Sequence, residues 1–393
     1  LGISGFRETA VEFDFDRPPE RRGSDSLKWS RYAGRDVIPL WVADMDFSAP
    51  PGVLAALRDR VDHGVFGYAA ALAPLAAAVC AHLERDFGWT VEPDCIIGLP
   101  GLVSGLSVAC RATCRPGAAV ASFVPIYPPF LKVPRLMECE VVTAPLIRGP
   151  DRWEIDWEAT ARVLADPRTE LLLFCSPHNP CGRVWSRGEL ERVATLCLAH
   201  DVTICSDEIH NQLVLDPTAR HRPTGSLSDE IAARTITLVA PSKSYNIAGL
   251  GCSLAIVSDP GLRRRFRRAM AGIVPDVNVL GLTAGLAAYR EGDAWRRALL
   301  TYLRAGRDRL QTAVARAPAL DMAPVEATYL AWIDARRLGV PDPAAWFEEY
   351  GLGLSDGRDF GAPGFVRWNF GCAHGLLDEA IGRLERAVAA AIR

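Results

Sequence analysis

Only three lysines occur in the 393 residues, Lys28, Lys132 and Lys243; the other 41 basic residues are arginine. Arginine can replace lysine wherever a surface charge is wanted, but not where chemistry needs a deprotonated amine. Lys243 stands just past an apolar run, TITLVAPSK, where partial desolvation lowers an amine's pKa and frees it to form a Schiff base. Asp207 ends another such run, VTICSD, and could hold a pyridine nitrogen protonated, as an electron-sink cofactor requires. Gly101 follows a third run, CIIGLP, and opens a helix-like stretch whose first backbone amides are free for a phosphate. Asn179 in SPHNPCGR, past a fourth run, LLLFC, and His210 in SDEIH add polar groups beside run ends. Singly, each residue reads as an ordinary turn former, cap or solvated charge. Together they make up the parts of a pyridoxal 5'-phosphate site. Lys28 and Lys132 read as structural.

The elements that must position these groups are short apolar, β-branched runs alternating with amphipathic stretches rich in Ala, Leu and Arg. Candidate strands are 95–99, 118–124, 140–146, 170–175, 202–206, 234–239 and 251–257. Between several of them lie helical stretches, as at 186–200, where Ser186 and Glu189 form a capping box. This alternation predicts an α/β fold with a largely parallel, doubly covered sheet of seven strands. Ligands of such sheets bind outside the carboxyl ends of the strands, where the polar residues gather. Beyond about residue 260 the texture changes to an Arg-rich helix (262–272), long helices over roughly 280–316, short strands near 328–333 and 365–370, and a closing helix near 376–391. The predicted organisation is an N-terminal arm (1–47) joining a small C-terminal domain (276–393), with a large cofactor-binding domain (48–275) between them.

Composition sets outer limits. Apolar residues make up 49% and charged residues 23%, with a net charge of −3, which fits a well-cored globular protein and excludes a disordered chain. No basic field recruits nucleic acid or an anionic membrane. Eleven cysteines without a C-x-x-C pair argue against a disulfide framework. With no N-terminal basic-plus-apolar stretch, the expectation is a reduced, cytoplasmic, soluble protein. Zinc spacings and G-x-x-x-x-G-K are absent, and the serine in GLVSG (101–105) is one place late for a nucleophile elbow.

Several strings, taken in order, resemble a known family. They are RRGSDSLKWS (21–30), WVADMDFSAP (41–50), HGVFGY (63–68), PGLVSGL (100–106), SPHNPCGRVW (176–185), SDEIH (206–210), APSKSYNIAGL (240–250), EATYLAW (326–332) and FVRWNFG (365–371). The chain resembles the fold-type I pyridoxal-phosphate enzymes of aminotransferase class I/II, and within them the cystathionine β-lyase-like (MalY/PatB) C–S lyases.

The resemblance implies roles. Lys243 would carry the cofactor and act as the base at the substrate's α-carbon. Asp207 would pair with the pyridine nitrogen, Asn179 would bond the phenolic oxygen with His210 beside it, and Tyr127 would stack on the ring. Backbone amides of Gly101, Leu102 and Val103 with the Ser242 hydroxyl would cradle the phosphate, and Tyr68 would reach the phosphate of a neighbouring subunit in a homodimer. Arg367 would bind the substrate α-carboxylate, assisted by Asn179, while Ala43 and Asp44 would lie near the substrate entrance. Many aminotransferases carry a phosphate-binding arginine eight residues after the lysine. Here that position is Gly251, as in the C–S lyases. A second departure, Cys372-Ala373-His374, is expected near the substrate end. The implied reaction is α,β-elimination from an S-substituted cysteine. The alternatives are transamination, a decarboxylating variant, or a non-enzymatic regulator, which would need a DNA-binding module that the sequence does not show.

Overall fold

The computed structural model describes residues 13–69 and 72–392. A first short strand, β1 (Ile38–Pro39), belongs to the N-terminal segment. The central sheet is built from β2 (Ile96–Leu99), β3 (Ala119–Val124), β4 (Glu140–Arg148), β5 (Trp153–Ile155), β6 (Thr169–Cys175), β7 (Thr203–Asp207), β8 (Thr235–Val239) and β9 (Ser253–Val257). Its strand order is β2-β9-β8-β7-β6-β3-β4-β5.

All seven predicted strands are present. The eighth, β5, is the correction to the seven-stranded expectation. It has three residues, with Trp153 and Ile155 buried and Glu154 exposed between them, as a half-buried edge strand requires. Three residues around a charged centre give too little period for a sequence reading. The sheet is mostly parallel: β3, β4, β6, β7 and β8 run together. Only β9 and β5 run opposite to the common direction, and each pairs antiparallel with its neighbours. Because β9 is reversed between β8 and β2, the carboxyl end of β2 points to the same edge as those of β3, β6, β7 and β8.

Apolar strand runs bury both faces of this sheet. The helix Leu102–Thr113 and the helix Pro260–Met270 pack on one side of it, and the helix Arg187–Ala199 packs with the other core cluster. The predicted capping box is formed there: Ser186 Oγ accepts from Glu189 N at 3.3 Å, and Glu189 Oε2 accepts from Ser186 N at 2.7 Å. Among the described residues no helix is long and apolar enough to cross a membrane.

The C-terminal third adds β10 (Asp321–Met322), β11 (Leu330–Asp334), β12 (Leu352–Gly353), β13 (Ser355–Asp356) and β14 (Phe365–Asn369). Four of these form an antiparallel sheet ordered β10-β11-β14-β13, while β12 pairs in parallel with β1. The 280–316 helical stretch divides into Val279–Glu291 and Asp293–Ala315, and the closing helix spans His374–Ala391. One core cluster joins residues of the N-terminal segment, such as Phe15, Leu40 and Met45, to Leu303, Leu330, Trp368 and Leu384.

Candidate active site

Register brings the predicted groups to one place. Cys175 at the end of β6 lies opposite Asp207 at the end of β7, which lies opposite Leu238 near the end of β8. Four residues after Cys175 comes Asn179, and five after Leu238 comes Lys243, so all three emerge at the same sheet edge. Here a cavity of about 580 Å³ opens. Ala43, Gly101, Leu102, Val103 and Tyr127 line it, together with Asn179, Asp207, His210, Ser242, Lys243 and Arg367. Asp44 is the next residue after one of the lining groups. Tyr68 is fully exposed at the end of the segment 64–69 and is not among the lining residues.

Burial sets the electrostatics of the chemical end. Desolvation pushes the Asp207 carboxyl up to about 7, since its one hydrogen bond is from the Ile209 amide at 3.1 Å and Glu208 repels its charge. Glu208 itself is fully buried. Its Oε1 accepts from Ser206 Oγ and from the Thr224 amide, each at 2.8 Å, and its Oε2 meets His221 Nε2 at 2.9 Å. Desolvation likewise brings Lys243 down to about 8, against the pull of Asp44 and Asp207 and with the help of Arg367. Its Nζ donates to the Ala43 carbonyl at 2.6 Å. His210 is driven down to about 3 by burial, and so is neutral, with Nδ1 buried and unpartnered.

The opposite wall is built for an anion. Arg367 is 4% exposed, and its hydrogen bonds among the described residues go to neutral acceptors. Its Nη1 donates to Asn179 Oδ1 at 3.1 Å, its Nη2 to the Trp41 carbonyl at 2.7 Å, and its Nε has no partner. Burial lowers it to about 10, and the Phe360 ring lies 4.8 Å from the guanidinium carbon. A buried cation surrounded by neutral acceptors is a ready partner for a carboxylate brought from outside. Tyr127, its own hydroxyl pushed up by burial, stands between this wall and Asp207 in the electrostatic sense, sensing both charges.

These residues fit pyridoxal phosphate. Gly101 caps the helix Leu102–Thr113 without any side-chain hydrogen bond, and a Cβ placed there would meet nothing within 4 Å. The first amides of that helix are thus open to a phosphate beside Ser242. The unpartnered His210 Nδ1 and the poorly bonded Asp207 carboxyl are the buried polar groups that a bound heterocycle would satisfy. At Gly251, φ is +61° and a Cβ would sit 3.0 Å from the Pro100 carbonyl oxygen. An arginine at that position would be strained, which gives the departure seen in the sequence a backbone cause.

The family model described as aminotransferase class I and II matches residues 35–384. The chain belongs to this family. Its fold is that of the fold-type I pyridoxal-phosphate enzymes. Among family relatives, the chain is 36% identical to "Cystathionine beta-lyase PatB" of Bacillus subtilis, over 95% of this chain and 100% of that one. The solved structure titled "Crystal Structure of OvoB" superposes with a TM-score of 0.93 at 49% identity, over 96% of this chain and 99% of that one. Cystalysin from Treponema denticola, whose structure contains a pyridoxal 5'-phosphate cofactor, superposes with a TM-score of 0.92 at 30% identity, over 97% and 100%.

Several contributors escaped the sequence reading. Asn246 and Asn369 staple the 42–47 loop from two sides. Asn246 Nδ2 donates to the carbonyls of Met45 (2.9 Å) and Phe47 (2.7 Å), and Asn369 Nδ2 to those of Val42 (2.6 Å) and Asp44 (2.7 Å). The loop therefore lies on Lys243, so Ala43 sits against the lysine itself rather than at the rim. Tyr329, whose hydroxyl also donates to the Ala43 carbonyl at 2.9 Å, carried no signal beyond membership of a matching string, and Ser355, opposite Arg367 in the β13–β14 register, carried none at all. The expectation for 372–374 is corrected. Cys372 is buried in the core cluster, and the His374 ring stacks on Tyr302 with centroids 3.8 Å apart; none of the three residues lines the cavity. Cys181 is likewise a core thiol, pushed well up by burial.

Proposed function

We propose that this site eliminates a thiol from an S-substituted L-cysteine of the cystathionine kind, giving the thiol, pyruvate and ammonia with uptake of one water. The observation that carries the reading is a buried, carboxylate-free arginine, Arg367, across one cavity from a lysine whose amine is largely neutralisable near pH 8. The cofactor is pyridoxal 5'-phosphate. Bound there, it supplies an aldehyde for a Schiff base and an electron-withdrawing ring that weakens the substrate's α-C–H bond.

The chain's own residues do the rest. Arg367, steered by Asn179 and the Trp41 carbonyl, grips the α-carboxylate and fixes which face of the α-carbon meets Lys243. Lys243 Nζ takes the α-proton, while the C–S bond at Cβ breaks and the sulfur leaves with the electron pair. Asp207 would keep the ring nitrogen protonated, and Asn179 with neutral His210 would hold the phenolic oxygen. Ser242 and the amides of residues 101–103 would bind the phosphate, and Tyr127 would pack against the ring.

Further readings complete the proposal. The protein acts as a homodimer in which Tyr68, with the exposed Val65 and Phe66, enters the neighbouring subunit. Residues 48–275 form the cofactor-bearing unit, and the N-terminal arm serves the C-terminal domain (276–393), as the β1–β12 pairing supports. All eleven cysteines are free, which supports a reducing cytoplasm.

The test is absorbance near ~420 nm, about where a lysine-bound pyridoxal absorbs, followed by addition of cystathionine. Pyruvate, ammonia and free thiol without a keto-acid acceptor are expected, and Lys243→Ala loses both the lysine-linked band and turnover by about 10³-fold. Turnover that demands an acceptor would make the enzyme an aminotransferase instead.

A further inference from the structure

Arg21, Lys28 and Asp46 are charged groups at or below the surface that none of these steps uses, and all three converge on the loop that covers Lys243. Lys28 is fully buried, with Nζ 2.9 Å from Asp46 Oδ2 and 3.3 Å from the Asp44 carbonyl oxygen. Arg21 forks: Nη1 reaches Asp46 Oδ1 at 2.8 Å and Nη2 reaches Asp44 Oδ2 at 2.7 Å. Trp29 Nε1 adds a bond to Asp46 Oδ1 at 3.0 Å. Asp46 is saturated by two cations and an indole. Asp44 is not: one oxygen is on Arg21, while the other, Oδ1, is buried with no partner among the described residues.

The residue before Asp44 is the one whose carbonyl accepts from Lys243 Nζ, so this half-satisfied carboxylate sits one peptide away from the amine. The other charged and titratable groups around Nζ are Asp207, Arg367, His210 and Tyr329. Asp44 and Asp207 are the carboxylates whose charge favours the protonated amine. A carboxylate shared with a guanidinium acts on a third group with reduced charge.

We propose that Arg21 is a positioning residue that sets the proton affinity of the Lys243 nitrogen through Asp44, by offsetting a carboxylate that would otherwise hold that nitrogen protonated. The inference rests on the reading of Lys243 as the cofactor-bearing lysine. Docking of the segment 21–30 onto the 43–46 loop thereby readies the amine to take a proton at neutral pH. Lys28 anchors the same loop through Asp46 and the Asp44 carbonyl, without touching the Asp44 carboxylate.

The geometry gives opposite signs to the two members of one ion pair. In the holoenzyme, the pH midpoint at which the absorbance of the lysine-bound cofactor changes reports the proton on Nζ. Asp44→Asn removes the anion and lowers the midpoint, by about one unit for a charge at this range. Arg21→Gln unmasks the anion and raises it by about half a unit or more. The double variant follows Asp44→Asn, because Arg21 acts through Asp44. Arg21→Lys keeps the charge but cannot span both carboxylates, so its midpoint lies between those of the parent and Arg21→Gln; it carries the test if Arg21→Gln does not accumulate as folded protein. A general loosening of the loop would shift both single variants in the same direction or neither, and either result overturns the proposal. A parent protein with no lysine-linked absorbance overturns the reading of Lys243 itself, which separates the two failures.

Discussion

The cavity has two walls that the chain makes in different ways. The wall at the sheet edge comes from strand ends that hydrogen bonding holds level: Asn179, Asp207 and Lys243 each follow a strand by a few residues, and adjacent parallel strands fix their heights. The facing wall joins Trp41 and Ala43 to Ser355 and Arg367, groups some 300 residues apart in sequence, through backbone carbonyls and two asparagine staples. The first wall has groups whose pKa values burial displaces toward neutrality, Asp207 upward and Lys243 downward. The second has a cation that burial leaves charged. On the proposed reading, proton transfer falls to stiff, local structure and substrate recognition to long-range assembly.

Breaking the recognition wall alone should give the largest separation between the two. Arg367→Lys keeps a positive charge but cannot bridge Asn179 Oδ1, the Trp41 carbonyl and a carboxylate at once. Losing one partner of a buried charge pair costs about 2–5 kcal/mol. We expect KM for the amino-acid substrate to rise by roughly 10²-fold or more, with the cofactor absorbance unchanged. A fall in kcat with KM intact would place Arg367 in the chemistry instead.

The two walls also differ in how far they could be read from sequence. The sheet-edge groups were legible because a strand end is a local event: an apolar run stops and a polar residue follows. The seven long strands, the capping box at Ser186 and the closing helix were legible for the same reason, each being written within one or two turns of chain. The stapling of the 42–47 loop was not, since nothing in the sequence around Asn246 or Asn369 says that its amide spans two carbonyls about 200 residues away for the one and about 325 for the other. The Cys372–His374 segment misled because it follows a matching string, yet the helix it opens turns its ring onto Tyr302 instead of the cavity. The Arg21–Asp44 pair shows as two matching strings, while their meeting is a tertiary fact.

On the chemical wall, pH is the sharper probe. In cofactor-free protein the folded state holds a proton on Asp207 up to about 7, whereas the unfolded chain releases it near 3.8. The folded state binds more protons across that window, so this residue's contribution to stability falls as pH rises from about 4 to 7. A displacement of this size corresponds to at most about 4 kcal/mol. Urea unfolding of the parent and of Asp207→Asn at pH 4.5 and 7.5 should show the variant gaining on the parent at the higher pH. Loading with pyridoxal phosphate should flatten the parent's slope, because a protonated ring nitrogen favours the ionised carboxylate. Parallel slopes in parent and variant would mean that Asp207 is already charged in the folded chain.

The smallest expected effect lies at the seam between the walls and tests whether the phosphate end is shaped by backbone alone. Gly251 holds φ at +61° just ahead of β9, and its neighbour across the cavity floor is the Pro100 carbonyl, directly before the Gly101 helix cap. A methyl group there meets that oxygen at 3.0 Å and forces a conformation that L-residues disfavour by about 1–2 kcal/mol. Gly251→Ala should therefore lower the unfolding free energy from urea titration by that amount and weaken cofactor retention a few-fold, by nudging the 100–101 turn that presents the helix amides. The KM for substrate should stay where it was, since Arg367 lies on the other wall with the Trp41 carbonyl and Ser355. If substrate binding weakened as much as cofactor binding, the two walls would be mechanically one, and the division of labour between local and long-range structure would fail at its join.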